Sequence, residues 1–556
     1  MKGIFLLYSF LFVYFVQAQE IKDYTPFSIL HNYRAVSNTY KLKPLDLKQI
    51  YYEDSIQFIN NRQVNIARLQ NIKIEEEASR NKFFLTPNQA IWKIKIEVPK
   101  AQKIALKIKK LKLPKGSRLF IYSEYQQSNF LVFDATSTTY QIEHFISKTV
   151  EGETLILELN QEENISLSAS IDIEGLLNYY QKQSRNSPGY GQSTDCEVNV
   201  ACSEGNGWCN EAQSVVRILI QTGTNYSYCS GAVVNNTKQD FTPYILTAEH
   251  CGENSLDEDF KYWRFDFNYQ SNSCENPNSE SEIITKYLSG CEQIAKAKRE
   301  LDSGSDFRLV KLLDSIPKMW NIYFAGWDVA EYSSIEGGGV GIHHPYGDIK
   351  KISTYIKELV SSDANGGDAN DEFWKTYWFE TENGYGITEG GSSGSPLFNH
   401  QGLIIGTLST GSSFCDNRKS SPDFYGKMSR HWNAYQGDST KQLKYWLDPN
   451  NTNVLQLGGL SNNKDLICGK RLFFNDFTLF PNPANTILRI GSEDLNNLSN
   501  ARIDVFDLRG VLVKSVETEN SLGIKEINIS DLSEAVYILK VTKTDWVIQQ
   551  KFIILR

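Results

Sequence analysis

The stretch Thr388-Glu-Gly-Gly-Ser-Ser-Gly-Ser-Pro-Leu-Phe398 packs three glycines and three serines into six consecutive residues, between a polar loop and an apolar segment. Glycines on either side of a serine allow a sharp turn and leave neighbouring N–H groups free to point into a site. A hydroxyl presented in this way attacks a carbonyl when a base takes its proton and amides receive the oxyanion. Taken alone, the stretch also reads as an ordinary Gly/Ser loop.

Two further stretches bear on that choice. Tyr244-Ile-Leu-Thr-Ala-Glu-His-Cys-Gly252 is an apolar run that ends in a histidine beside a cysteine. Gly304-Ser-Asp-Phe-Arg-Leu-Val-Lys-Leu312 leads from an acid into an alternating strand pattern. The order His250, Asp306, Ser393 is the chymotrypsin order and differs from those of subtilisin and the α/β-hydrolases. Thr-Ala-Glu-His-Cys resembles the histidine motif of the chymotrypsin family, and Gly-Ser-Ser-Gly-Ser-Pro resembles its nucleophile motif. The resemblance implies an all-β, chymotrypsin-like double β-barrel.

In such a site His250 is the general base, Asp306 orients it, and Ser393 is the nucleophile. The backbone N–H groups of Gly391 and Ser393 are expected to form the oxyanion hole. Ser393 is preceded by Gly-X and followed by Gly-X-Pro, a register that Ser392 does not fit. His343 and His344 are rival bases without the neighbouring cysteine. Asp302 is the nearest rival acid, but the strand pattern follows Asp306 directly.

A closer resemblance, over 195–457, is to the bacterial lysyl endopeptidases. It rests on the Cys196/Cys202 opening, Asn268-Tyr-Gln-Ser-Asn-Ser-Cys274, His344-Pro-Tyr-Gly-Asp-Ile-Lys-Lys-Ile-Ser353, the serine stretch and Asp423-Phe-Tyr-Gly-Lys427. That family's pattern implies disulfides Cys196–Cys415, Cys202–Cys274 and Cys229–Cys251. Cys209 and Cys291 have no counterpart in it and are expected to pair with each other, leaving Cys468 over. The resemblance also implies that Asp423 lies at the base of the pocket for the residue before the cut, with Ser409 and Gly411 in the substrate site. By itself Asp423, after Ser420-Ser-Pro422, reads equally as a turn aspartate.

Lysine over arginine is implied by the family alone. Two positions depart from the pattern. Ser392 stands where chymotrypsin-like enzymes carry an aspartate that receives a new N-terminal ammonium, so activation by that ion pair is not available. Ser409-Thr-Gly411 stands where some lysyl endopeptidases carry a histidine. The alternatives are a trypsin-like protease accepting Arg and Lys, and a catalytically inactive adhesin that keeps the fold.

The chain has 556 residues, too many for one compact core. Its net charge of −9 is mild and no long basic run points to nucleic acid. Nine cysteines without a CxxC or Cys/His spacing read as disulfides rather than a zinc site, and neither a metal nor another cofactor is expected. Residues 1–18, a lysine followed by a short apolar run and Gln17-Ala18-Gln19, read as a secretory signal. Residues 19–187 lack cysteine. Trp92, Ile94, Ile96 and Val98 alternate there with Lys93, Lys95 and Glu97, the pattern of a half-buried strand.

This N-terminal region is expected to be a β-rich propeptide that helps the protease fold and covers its cleft; a binding domain that stays attached is the other reading. It ends in the polar linker 181–194, where Lys182 and Arg185 are exposed to cleavage. The protease region is placed at 188–457, and 458–475 is a second linker. Residues 476–556, opening with Phe477-Thr-Leu-Phe-Pro-Asn-Pro, resemble the C-terminal sorting domain of the Bacteroidetes type IX secretion system. The expected partners are polypeptide substrates and that secretion machinery. The expected product is a monomer, secreted or held at the surface of a Gram-negative bacterium.

Overall fold

The computed structural model describes residues 20–556 except 22–23, 62–63, 78–82, 87–88, 126–129, 163–168, 182–188, 299–303, 333, 336, 364–370, 417–419, 434–436, 462–477, 492–497, 499, 519–524 and 544–545. The apolar run read as a secretory signal, Lys182, Arg185, Asp302 and Cys468 lie outside the described residues. Among the described residues, no helix is long and apolar enough to cross a membrane.

The molecule is all-β, as expected, with only short helices besides Leu47–Asn61. The N-terminal region is two sheets face to face, antiparallel except where Asn38–Lys41 pairs in parallel with Gln89–Glu97. One contains Gln89–Glu97, Thr154–Glu162 and Ser117–Ser123, the other Lys103–Leu113, Ser170–Tyr179 and Asn65–Glu77. Between them pack Trp92, Ile94, Ile96, Ile104, Leu106, Leu119, Ile121, Leu157 and Ile173. The alternation in Trp92–Val98 therefore marks one buried face. Lys93 is the exception on the other face: it is buried, with its ammonium 3.2 Å from Ser28 Oγ.

The second of these sheets does not end with the N-terminal region. Asn65–Glu77 pairs with Asn225–Val234 of the next, through Asn225↔Arg68, Tyr226↔Ala67 and Ser227↔Asn65. From there the sheet continues through Val215–Thr222, Arg264–Phe267 and Lys286–Ser289 on one side. On the other side run Tyr244–Thr247, Phe307–Leu312 and Cys291–Ala297. A separate sheet is built from Gly339–His343, Lys351–Tyr355, Pro396–Asn399, Ile404–Gly411, Asp423–Lys427 and shorter strands.

Alternate residues on these strands are apolar, which gives each sheet a core. Val216, Ile218, Phe265, Val310 and Leu312 fill the first; Tyr355, Trp374, Leu397, Leu408 and Tyr425 fill the second. A third cluster, with Val215, Leu246, Phe307, Ile342, Phe398 and Ile404, joins the two. His250 and Asp306 belong to the first sheet and Ser393 and Asp423 to the second, so the candidate site lies where they meet. The C-terminal module is a three-stranded and a four-stranded sheet around Leu488, Ile503, Val505, Leu539, Val541 and Phe552.

Three disulfides are formed, Cys196–Cys415, Cys202–Cys274 and Cys229–Cys251. The expected Cys209–Cys291 bond is not. Cys291 is a free, buried thiol at the head of Cys291–Ala297, and its Sγ lies 3.6 Å from the Phe260 carbonyl oxygen in the core of the first sheet. Cys209 is disulfide-bonded elsewhere. It opens the helix Cys209–Ser214, which packs through Ala212 and the adjoining Trp208 in the cluster between the sheets. The expected pairing fails because Cys291 is buried in the core of the first sheet, whereas Cys209 stands on a helix whose neighbours pack in the cluster between the sheets.

Candidate active site

Asp306 sits just before the strand Phe307–Leu312, with φ +57°, a conformation uncommon for a side chain other than Asn or Asp. Its Oδ2 is 2.7 Å from His250 Nδ1, and its Oδ1 accepts the His250 backbone N–H at 3.0 Å. Because a carboxylate only accepts, Nδ1 carries the proton of the neutral ring and Nε2 is the basic nitrogen. Ser409 Oγ donates to Asp306 Oδ2 at 2.6 Å. Burial by itself would raise the Asp306 carboxyl. His250, the Ser409 hydroxyl and the His250 amide outweigh it and hold the group at about 2. Asp306 is therefore an anion throughout the neutral range.

The three serines of the turn differ in what surrounds them. Ser392 is fully buried, with Oγ 2.8 Å from His343 Nδ1 and accepting the Glu389 N–H at 3.1 Å. Ser395 is also fully buried. Ser393 is only half-buried. Gly394 brings the backbone of this turn against the segment that precedes His250. At φ +78°, a Cβ there would lie 2.1 Å from Thr247 Oγ1 and 2.6 Å from the Ala248 nitrogen. The absence of a side chain lets the turn press against the residues that lead into His250.

The Cys229–Cys251 disulfide fastens the same contact, with Cys251 Sγ 3.6 Å from the Ser393 carbonyl oxygen. Among the described residues no hydrogen bond joins Ser393 Oγ to His250. Such catalytic contacts are often long without substrate and tighten in its complex.

Gly391 has φ +94°, and a Cβ there would be 2.9 Å from the Gly347 nitrogen and 3.0 Å from the His344 carbonyl oxygen. Its carbonyl accepts from Ser230 Oγ at 2.9 Å, and the Ser393 carbonyl accepts from the Ser230 N–H at 2.9 Å. Both carbonyls of the turn thus face the first sheet. Among the described residues the N–H groups of Gly391 and Ser393 donate to no protein acceptor.

The rival histidines are placed elsewhere. His343 is fully buried between Ser392 Oγ and Ser353 Oγ, at 2.8 and 2.9 Å, and burial lowers it to about 3, so it is neutral. His344 Nδ1 is 2.9 Å from the Asp348 carbonyl oxygen. His431, not singled out in the sequence, bridges Ser305 Oγ and Thr407 Oγ1 at 2.7 and 2.9 Å and so braces the segment that carries Asp306. Nothing local marks that role, because its partners lie far away along the chain.

Asp423, the first residue of Asp423–Lys427, is fully buried. Its Oδ2 receives Trp378 Nε1, Thr388 Oγ1 and Ser413 Oγ at 2.6, 2.7 and 2.7 Å. Its Oδ1 receives the N–H groups of Ser412 and Ser413 at 3.1 and 3.2 Å. Burial still leaves its carboxyl above the ordinary range, although these bonds oppose the shift. Gly411 lies directly against it: a Cβ there would be 2.1 Å from Oδ1. Ser409, expected in the substrate site, gives its hydroxyl to Asp306. Trp378 and Ser413 were not legible as parts of the site, since only folding brings them to the carboxylate.

Residues 190–426 match the family model described as the lysyl endopeptidase C-terminal domain, and residues 478–555 match the secretion system C-terminal sorting domain. Similar solved structures include the thermostable serine protease AL20 from an extremophilic microorganism. It is 13% identical over 39% of this chain and 92% of its own, with a TM-score of 0.26. A Glu endopeptidase is 16% identical over 43% of this chain and 92% of its own, with a TM-score of 0.25. Protease Anisep from Arthrobacter nicotinovorans is 16% identical over 39% of this chain and 90% of its own, with a TM-score of 0.26. These likenesses are too distant to bear on individual residues. The two family matches thus place a region similar to a lysyl endopeptidase domain ahead of a secretion sorting domain, and the sorting domain indicates export by type IX secretion, to the medium or the cell surface.

Proposed function

We propose that the chain is an endopeptidase that cuts after lysine through an acyl-enzyme on Ser393. The Ser393 hydroxyl attacks the scissile carbonyl while His250 Nε2 takes its proton. Asp306 stabilises the imidazolium and stays ionised. The tetrahedral oxyanion is received by the N–H groups of Gly391 and Ser393. His250 then returns the proton to the leaving amine, and water, activated by the same histidine, releases the product.

The observation that carries the specificity is the link from Thr388 to Asp423. Thr388 opens the turn that ends in Ser393, and its hydroxyl donates to Asp423 Oδ2 at 2.7 Å. The carboxylate that would receive a substrate cation is thereby fixed to the same loop as the nucleophile. Both oxygens of Asp423 already accept from protein donors, five bonds in all. That arrangement favours one more donor from a compact ammonium over the two parallel bonds a planar guanidinium makes.

Digestion of a denatured protein library tests the reading: lysine is expected before each cut, and arginine at equal frequency would select the trypsin-like alternative. Asp423→Asn should lower kcat/KM for lysine substrates by about 30-fold or more, with Ser393 still labelled by a serine-directed phosphonate. Unchanged lysine cleavage would remove Asp423 from the pocket.

A further inference from the structure

The turn that carries Gly391 and Ser393 is held to the rest of the protein by main-chain contacts. Gly390 O accepts the Tyr346 N–H at 2.5 Å, and Gly391 packs against the backbone of 344–347. The geometry of the turn therefore depends on where the loop 345–348 sits. Tyr346 has φ +48° and Gly347 φ +69°, so the loop makes two left-handed steps in succession. Its position is set from outside by residues 189–194, a surface segment just before Cys196. Gly189 N–H donates to Tyr346 O at 2.7 Å.

The Asp348 carboxylate, 1% exposed, accepts from the Gly191 N–H at 2.7 Å, the Ser193 N–H at 3.2 Å and the Ser193 hydroxyl at 2.7 Å. The Thr194 N–H reaches across to Glu389 Oε2 at 3.2 Å, on the nucleophile turn itself. Ser392, where an aspartate could have anchored this turn by an ion pair, instead spends its hydroxyl on the neutral His343.

We propose that the segment 189–194 and Asp348 are positioning elements of the oxyanion hole: the segment clamps 345–348, and that loop holds Gly390 and Gly391 in place. The inference rests on the reading of Ser393 as nucleophile. It requires the mature chain to keep residues 189–194, which places any activating cut before Gly189. Asp348 never touches substrate. Its effect passes through the Gly391 N–H, which acts on charge present only in the transition state, so its loss falls on kcat rather than on substrate affinity.

The test uses Asp348→Asn and Ser193→Ala in the full-length, activated protein. Steady-state kinetics on a lysyl amide substrate are measured beside inhibition by butylammonium, a competitor for the cation pocket. For Asp348→Asn, kcat is expected to fall about tenfold or more, less than the loss of a whole oxyanion donor, with KM and the butylammonium inhibition constant within about threefold of the parent. Ser193→Ala, which deletes one surface hydroxyl and should fold in any case, is expected to show the same split with a smaller fall in kcat. If kcat per titrated active site is unchanged in the folded variants, or if KM and the butylammonium constant rise while kcat holds, the inference is overturned. An inactive parent protein would instead overturn the assignment of Ser393.

Discussion

Ser392 and Ser393 are neighbours in sequence with different surroundings: one hydroxyl is buried against His343, whereas the other residue is only half-buried. The Gly-X-Ser-Gly-X-Pro register selects the second, and the burial of the first supports the same choice. Ser393→Ala and His250→Ala are each expected to lower kcat by several orders of magnitude without unfolding the protein, because members of such a set act together. Ser392→Ala should keep substantial activity. A dead Ser392→Ala beside an active Ser393→Ala would shift the assignment by one residue. At this scale the His250–Asp306 pair that the structure forms was legible, since each residue stands in its own short motif. The groups that brace the site, Trp378, Ser413 and His431, were not, since they are defined by partners far away in the chain.

The turn that presents His250 is a short element, His250–Gly252, too brief to hold its own shape. Besides Asp306, three further contacts fix it. The Cys229–Cys251 disulfide ties it to Asn225–Val234. Gly252 lies against the Trp263 ring so closely that a Cβ would be 2.3 Å from it. Arg308, fully buried on the strand that follows Asp306, donates through Nη2 to the carbonyls of Glu249 and Gly252 at 3.0 and 2.9 Å, with the Glu249 carboxylate at 3.3 Å. Asp306 and the arginine that clamps the His250 turn thus stand on either side of Phe307, at the start of one strand.

Arg308→Ala leaves those carbonyls and the buried Glu249 short of donors. Losing one partner of a buried pair commonly costs about 3–5 kcal/mol, so a clear drop in melting temperature together with lower kcat is expected. Arg308→Lys should not restore either, since one ammonium cannot span both carbonyls and the carboxylate in the same plane. A variant with unchanged melting temperature and kcat would show that the disulfide and Gly252 suffice. The alternating pattern after Asp306 predicted the strand, but not that its arginine turns back to the histidine.

Across the whole molecule, the N-terminal region and the first protease sheet are one hydrogen-bonded surface. Ile66, Ala67, Ala105, Ile146 and Leu177 share an apolar cluster with Leu219, Tyr226 and Tyr262. Arg264 donates across the junction to the Ser147 carbonyl at 2.9 Å, and Tyr262 to Glu174 at 2.7 Å. These contacts fall on Leu219, Tyr226, Tyr262 and Arg264 of the first sheet and its flanking turn, and none of them involves Ser393 or Asp423. We therefore propose that a propeptide here acts by completing the sheet as it folds, rather than by covering the cleft. The cut is expected in the linker, after Lys182 or Arg185. N-terminal sequencing of active enzyme checks this, and a start before Tyr180 would contradict it. At the other end, mass spectrometry of secreted enzyme should find the region after Asp476 missing.

What the sequence determined by itself was the set of parts: an all-β chain, three ordered motifs and a C-terminal sorting domain, while the three disulfide pairings came from the family resemblance. Each of the motifs is written in residues close together in the chain. The tertiary structure decided everything that depends on two distant segments meeting. It left Cys291 a free thiol in the core of the first sheet while Cys209 bonded elsewhere. It gave Ser409 to Asp306, and it surrounded Asp423 with donors from Trp378, Thr388, Ser412 and Ser413. It also ran the N-terminal sheet into the protease through Asn65–Glu77. A strand's alternation specifies which of its faces is buried, but not which edge it pairs with, because backbone N–H and C=O groups are the same on every strand.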